Sequence, residues 1–316
     1  MLKALEVLLP IFVTMGLGYG AARHGRFRAE QVPILNKLVL LYAIPMSVSV
    51  GVLRLSRDTL LENVALLLVL TGGLAAVNFM AFALIRYVVR RDLATSALQA
   101  MAISFPAVPF IGPSLLTPLI RKESAILIAS VALVGNIVIV PFTTICLSMA
   151  SDQKAASAGT PTSIGASLRN ALVNGISQPI VWAPLLALTI VLLGVNVGRT
   201  FDDSLALLGQ AGGGVGLFTT GIVLQSQSVS LSPEVVANVI GKNVLTPLAV
   251  LGISFLAGQG ATAGKLAVTA SIMAAPIIAT LAIEYGVAVQ EMSSTLLLSA
   301  RASILTTGAF VAFATR

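Results

Sequence analysis

The sequence predicts an all-α membrane protein: ten transmembrane helices in two inverted five-helix repeats, with broken crossover helices 4 and 9. Three observations lead there. The chain of 316 residues is 57% hydrophobic and 10% charged, with a mean hydropathy of +0.98, whereas soluble domains carry roughly 25% charged residues. Its apolar runs recur at the length of about 20 residues that a helix needs to cross hydrocarbon. A polar stretch, SDQKAASAGTPTSIGASLRN at 151–170, divides those runs into two equal sets.

The first set lies near 5–22, 32–53, 63–86, 94–119 and 123–149, and the second near 176–197, 204–226, 235–257, 262–285 and 292–313. The halves are then residues 1–150 and 174–316, joined by a flexible linker at 151–173 rich in Ser, Ala, Gly and Thr. An odd number of crossings per half makes the second half enter from the opposite side, which is an inverted repeat. The opening segment, MLKALEVLLPIFVTMGLGYGAARHG, lacks a small-residue cleavage site and reads as a retained span.

The net charge of +7 and pI of 10.0 invite a nucleic-acid reading. The bases instead sit in short groups between apolar runs, such as Arg23, Arg26, Arg28 and Arg86, Arg90, Arg91. That is how helix ends are anchored at a bilayer, so no nucleic-acid partner is expected. Loop charges divide evenly between the two sides and do not orient the chain. The single cysteine, Cys146, has no internal disulfide partner. HExxH, GxSxG and DDxxD patterns are absent from the sequence, which weighs against an intramembrane enzyme and its cofactors.

The stretch ISFPAVPFIGPSLLTP at 103–118 holds Pro106, Pro109, Pro113 and Pro118 within span 4. An internal proline removes a helix hydrogen bond and costs roughly 3 kcal/mol, and hydrocarbon has no water to replace the bond. Several breaks are expected here. Span 9, KLAVTASIMAAPIIATLAIEYG, carries Pro276 near its middle. Interrupted segments at matching places in two halves point to a transporter's binding site; kinks that only shape packing are the alternative. Breaks of this kind are expected to leave unpaired N–H and C=O groups facing a small hydrated chamber at mid-depth. The N-terminal ends there suit an anion and the C-terminal ends a cation.

The substrate-binding candidates are Ser104, Pro106, Ala107, Val108, Pro109, Asn136, Pro276, Ile277, Thr280 and Arg301. Arg301 lies about nine residues into span 10, hence roughly 14 Å deep. Substrate contact, structural use and a gating pair with Glu284 all remain open for it. Lys242, about seven residues into span 8, has a stem long enough to snorkel to the surface. Aspartate and glutamate are absent from the middle of every span, so the intramembrane cations suit an anionic substrate. Lys242, Asn243 and Glu284 are the coupling or gating candidates, for H⁺ or Na⁺ or for no coupling ion.

Several pieces in order complete the reading: LLPIFVTMGLGYGAARHG, LNKLVLLYAIP with Asn36 and Pro45, PIVWAPLL at 179–186, FTTGIVL ending span 7, KNVLTPL with Lys242 and Pro247, and IEYGV after span 9. With these the chain resembles the auxin efflux carrier family, and within it the bacterial malonate or malate carriers. It departs from that pattern at Ala107, where members often carry Asn, at Gly112-Pro113-Ser114, and at Thr280 of the second crossover. The resemblance implies a scaffold of spans 1, 2, 6 and 7 and a transport unit of spans 3–5 and 8–10. It also implies a homodimer and an elevator-type movement. The implied function is secondary active transport of a small organic anion, a dicarboxylate such as malonate or malate or an auxin-like carboxylate, across a bacterial inner (cytoplasmic) membrane. A uniporter, a channel-like protein or a sensor on the same fold are the alternatives.

Overall fold

The computed structural model describes residues 2–54, 57–120, 123–157, 179–195, 197–226 and 229–314. In these the chain is helical, apart from turns and one isolated antiparallel bridge. The first half contains α1 (Leu2–Arg23), α2 (Val32–Leu53), a short α3 (Arg57–Glu62), α4 (Val64–Val88), α5 (Leu93–Ser104), α6 (Val108–Ile120) and α7 (124–157). The second contains α8 (Pro179–Leu192), α9 (Arg199–Ser226), α10 (Pro233–Leu256), α11 (Gly260–Ser271), α12 (Ile277–Tyr285) and α13 (Val289–Ala314). Among the described residues six helices are long and apolar enough to cross a membrane: α2, α4, α7, α9, α10 and α13.

Local chemistry sets several ends. Asp92 accepts from the Thr95 amide at 3.0 Å and caps α5. Ser232 does the same for Val235 at 3.3 Å, with Pro233 in the first position of α10, where its missing N–H has no intrahelical partner anyway. Gly286, at φ 63°, closes α12 in the left-handed conformation that only glycine adopts cheaply.

Two expectations change. Helix α7 runs on through Ser157, into the segment read as linker, and the rest of that linker lies outside the described residues. Span 4 is interrupted once rather than several times, between Ser104 and Val108. Pro109 falls in the first turn of α6, where a donor is not needed, and the helix carries Pro113 and Pro118 within it.

Among the described residues four helices also contain a five-residue π-helical stretch: Val39–Ala43 in α2, Leu84–Val88 in α4, Gly135–Ile139 in α7 and Gly241–Leu245 in α10. A widened turn rotates everything beyond it relative to the regular helix and re-aims the side chains.

Packing is apolar outward and polar inward. Leu17, Met80, Leu207, Leu256 and Leu305 are exposed, whereas Asn78, Asn238, Asn243, Ser271 and Ser299 are buried. This is what a hydrocarbon solvent selects, since it gains nothing from hiding leucine and leaves polar groups to find partners in the protein. Helix α1 lies along α9, and α2 packs on both α8 and α9. Helices α4 to α7 and α10 to α13 form the other set of contacts, which surrounds the two interrupted segments.

The α1–α9 contact is backbone on backbone. A Cβ on Gly18 would lie 2.0 Å from the Phe218 carbonyl oxygen, and one on Gly221 would lie 2.1 Å from that of Met15. Neither neighbour has a flexible end that could swing away. Gly18→Ala and Gly221→Ala should each destabilise the fold by ~1–3 kcal/mol through overpacking. A lowered unfolding midpoint in detergent micelles checks this, with Gly16→Ala, which meets nothing within 4 Å, as the control.

Candidate functional site

The two interrupted segments meet. Residues 105–107, between α5 and α6, run antiparallel to residues 272–276, between α11 and α12, and Pro106 faces Ala274 in the bridge. The Ala107 amide donates to the Met273 carbonyl at 2.8 Å, and the Ala275 amide donates to the Phe105 carbonyl at 3.0 Å. Each break therefore satisfies peptide groups that the other break frees. The expectation that these groups stand unpaired before a hydrated chamber is corrected on that point: a two-bond ladder joins them, and the crossing residues are buried. Proline at 106 fits because that residue's nitrogen has no donor role in the ladder.

The helix ends that converge here are held from outside the crossing. Helix α5 ends at Ser104 and α11 at Ser271, so Ile103 and Ala270 are matching penultimate positions whose carbonyls have no intrahelical partner. Thr246 donates its hydroxyl to the Ile103 carbonyl at 2.7 Å, and Lys242 donates its ammonium to the Ala270 carbonyl at 2.6 Å. Both donors come from α10, four residues apart, hence from neighbouring turns of one face. Lys242 is 0% exposed and is the one buried charged side chain among the described residues. A cation at a helix C-terminus is also favoured by the helix dipole.

Helix α13 supplies the third support. Ser299 accepts from the Ala274 amide at 3.0 Å and donates to Asn243 Oδ1 at 2.8 Å, while the Asn243 amide donates to the Ser299 carbonyl at 3.0 Å. Thr307 donates to the Ser271 carbonyl at 2.9 Å. On the other side, Asn78 of α4 donates to the Ser104 hydroxyl at 2.9 Å. Gly135 of α7 lies against Phe105, where a Cβ would come within 2.3 Å of the ring. Asn36 of α2 donates to the Thr280 carbonyl of α12 at 2.7 Å, and its Oδ1 has no partner among the described residues.

The sequence matches a known family, membrane transport proteins, over residues 3–311. The chain belongs to that family, the auxin efflux carriers. It is also 30% identical over 246 residues to the uncharacterized transporter YfdV of Escherichia coli strain K12, and to its counterparts in E. coli O157:H7 and Shigella flexneri. The match covers 77% of this chain and 76% of each relative. The protein is thus an integral, multi-pass membrane transporter rather than an enzyme.

Within this transporter, Ser104, Pro106, Ala107, Val108, Pro109, Pro276, Ile277 and Thr280 lie in or immediately beside the crossing. Asn136 is buried next to Gly135, but its amide donates to the Ala132 carbonyl of its own helix at 2.6 Å. Asn243 is buried within the support. Lys242 does not snorkel: the π-helical turn of α10 directs it inward, and its ammonium reaches a carbonyl there. Arg301 and Glu284 are not part of this group. Arg301 is exposed on α13 with Leu305 one turn on, opposite Ser299 and Ser303, and Glu284 is exposed near the end of α12.

Asn78 and Thr246 contact the helices of the crossing yet do not appear among the sequence candidates. A polar residue within an apolar run was their only signal, and that signal marks ordinary helix contacts equally well. Removing the support should cost stability in proportion to the groups orphaned. Thr246→Val frees one buried carbonyl and should cost about 1 kcal/mol, whereas Ser299→Ala leaves both the Ala274 amide and Asn243 Oδ1 without this partner and should cost ~2–4 kcal/mol. Unfolding midpoints of the two variants in one detergent should fall in that order.

Proposed function

We propose that the protein is a secondary active transporter of a small organic anion, most simply a dicarboxylate such as malonate or malate, working by alternating access. The observation that carries this reading is Lys242, a fully buried ammonium whose hydrogen-bond partner is a carbonyl dipole rather than a carboxylate. A carbonyl lowers the cost of burying the charge without neutralising it, and an anion arriving beside the crossing supplies the missing pairing. The first turns of α6 and α12 begin at the crossing and add the positive ends of two helix dipoles.

In this reading the chain crosses the membrane ten times in two inverted sets, with α5–α6 and α11–α12 as the fourth and ninth crossings. Helices α1, α2, α8 and α9 form the scaffold, and the set around the interrupted helices is the moving unit. The separation of helix contacts into those two sets supports the division. Substrate would bind at Pro106–Pro109, Pro276, Ile277 and Thr280, on the side where Asn36 joins α2 to α12. An elevator movement slides that surface and breaks the Asn36–Thr280 bond once per cycle. The scaffold serves a homodimer in the bacterial inner membrane, with H⁺ or Na⁺ as coupling ion and no cofactor.

Uptake into proteoliposomes from a panel of labelled mono- and dicarboxylates tests the reading. Saturable uptake with counterflow is expected for at least one dicarboxylate. Lys242→Met should raise the half-saturating concentration by the equivalent of ~2–5 kcal/mol, the usual loss when one partner of a buried charge pair is removed. Absence of carboxylate uptake by the native protein overturns the proposal, and steady single-channel current without saturation favours a channel.

A further inference from the structure

Glu291 has a setting unlike the other carboxylates in the set of helices around the crossing. Glu123 pairs with Lys265 at 2.6 Å and Glu234 pairs with Arg91 at 2.6 Å. Asp92 caps α5. Glu291, in the first turn of α13 and half-buried, has no ion pair among the described residues. Its Oε1 instead accepts from two side-chain amides that are themselves buried, Gln99 of α5 (3% exposed) and Asn238 of α10 (2% exposed), the latter at 3.4 Å.

Two features connect this carboxylate to its surroundings. Gln99 and Asn238 line a cavity of about 640 Å³, whose walls also include Ile103 and Thr246, the hydrogen-bonded pair at the end of α5. The Arg91–Glu234 ion pair, with both side chains 36% exposed, lines the same cavity where α10 begins. In the other direction, Asn238 also donates to Thr295 at 3.3 Å, and Glu291, Thr295 and Ser299 recur every four residues on one face of α13. Ser299 holds the Ala274 amide of the crossing. A polar seam thus runs from the carboxylate to the broken helices.

We propose that Glu291 is the proton-binding site that couples this transporter to a proton gradient. The inference rests on the carrier reading above and supplies its coupling ion. One proton enters at the end of the bundle where α10 and α13 begin, beside the Arg91–Glu234 pair, and converts the carboxylate to a carboxylic acid. The same proton returns to water on the other side after the unit has moved, and no other bond changes. As a carboxylate Glu291 only accepts, and it draws the N–H groups of Gln99 and Asn238 to one oxygen. As an acid it gains one O–H donor that needs an acceptor of its own, while its carbonyl oxygen still accepts, more weakly than a carboxylate does. The tie between α5 and α13 therefore differs between the two protonation states, and α5 is the first half of the broken pair.

The other charged groups around α13 are engaged or point away. Lys242 on α10 holds the Ala270 carbonyl, Lys265 on α11 holds Glu123, and Asp202 on α9 is bound to Arg54 at 2.7 Å. At the end of α1, Arg23 and the His24 that follows it are exposed, as are Glu284 on α12 and Arg301 on α13 itself.

The test uses the full chain in proteoliposomes, with malonate and malate as probes, the membrane potential clamped and a pH gradient imposed. One coupled proton accumulates substrate about tenfold per pH unit, because a tenfold ratio is ~1.4 kcal/mol. Glu291→Gln should abolish accumulation above equality while malonate counterflow persists, and Glu291→Asp should restore part of the accumulation. Gradient-driven accumulation by Glu291→Gln, or native accumulation indifferent to the pH gradient, overturns the proposal. Loss of both accumulation and counterflow in a folded Glu291→Gln overturns it too, since the residue then acts on the substrate step. Infrared difference spectra across pH read the site without transport. A carboxylic-acid carbonyl band that titrates in the native protein and is missing from Glu291→Gln is expected, and identical spectra overturn it. If the native protein moves no carboxylate of the wider panel either, the carrier reading falls, while the infrared result still decides whether Glu291 binds a proton.

Discussion

A peptide group in hydrocarbon has to find its hydrogen bond inside the protein, and most of this architecture follows from meeting that condition at one place. Interrupting a single helix at mid-span would leave several donors and acceptors without water to turn to. Interrupting two helices and laying the gaps antiparallel lets Phe105, Ala107, Met273 and Ala275 satisfy one another. The arrangement needs both breaks together, because neither gap has a ladder partner without the other. It also places two helix starts and two helix ends at one spot, so opposite partial charges meet there.

The remaining open valences explain which side chains surround the crossing. Ladder pairing cannot reach the penultimate carbonyls of α5 and α11, and α10 covers both, with Thr246 at one and Lys242 at the other. The chemical difference between those donors makes the two sides of the crossing unlike. A hydroxyl satisfies a carbonyl and leaves the region neutral, whereas an ammonium satisfies it and leaves a charge. Glycine at 135 lets Phe105 settle against α7, and the support is completed by Ser299, which ties the ladder to α13.

Much of the architecture was readable from residue order because depth in a bilayer is a matter of counting. The second span coincides with α2 at 32–53, and the break at Pro106 and the start of α12 after Pro276 fall where the prolines indicated. Direction around a helix was harder to read. Lys242 and Arg301 are both basic residues well inside apolar runs, and by depth alone Arg301 was the stronger candidate. The structure buries the first and exposes the second. Azimuth depends on the neighbours and on π-helical turns such as Gly241–Leu245, which shift the register without a distinct mark in the sequence. Pairing across the crossing was equally hidden, since it joins residues more than a hundred and sixty positions apart through backbone atoms that every residue type possesses.

Proline number misled for a related reason. Four prolines in sixteen residues suggested repeated breaks, yet a proline's effect depends on whether its position required a donor. Pro109 sits where none is needed, and Pro106 sits where the ladder draws its donor from Ala107 instead. The same reasoning explains why Ala107 can stand where related carriers often have asparagine. The backbone N–H of residue 107 makes the structural bond to Met273, and an asparagine side chain would only add a polar group beside it. Polarity at this crossing comes from helices packed around it, through Lys242, Asn36 and Ser299, rather than from the crossing's own side chains. With the crossing as the proposed binding site, substrate preference should therefore follow substitutions in α2, α10 and α13 more closely than substitutions at 107.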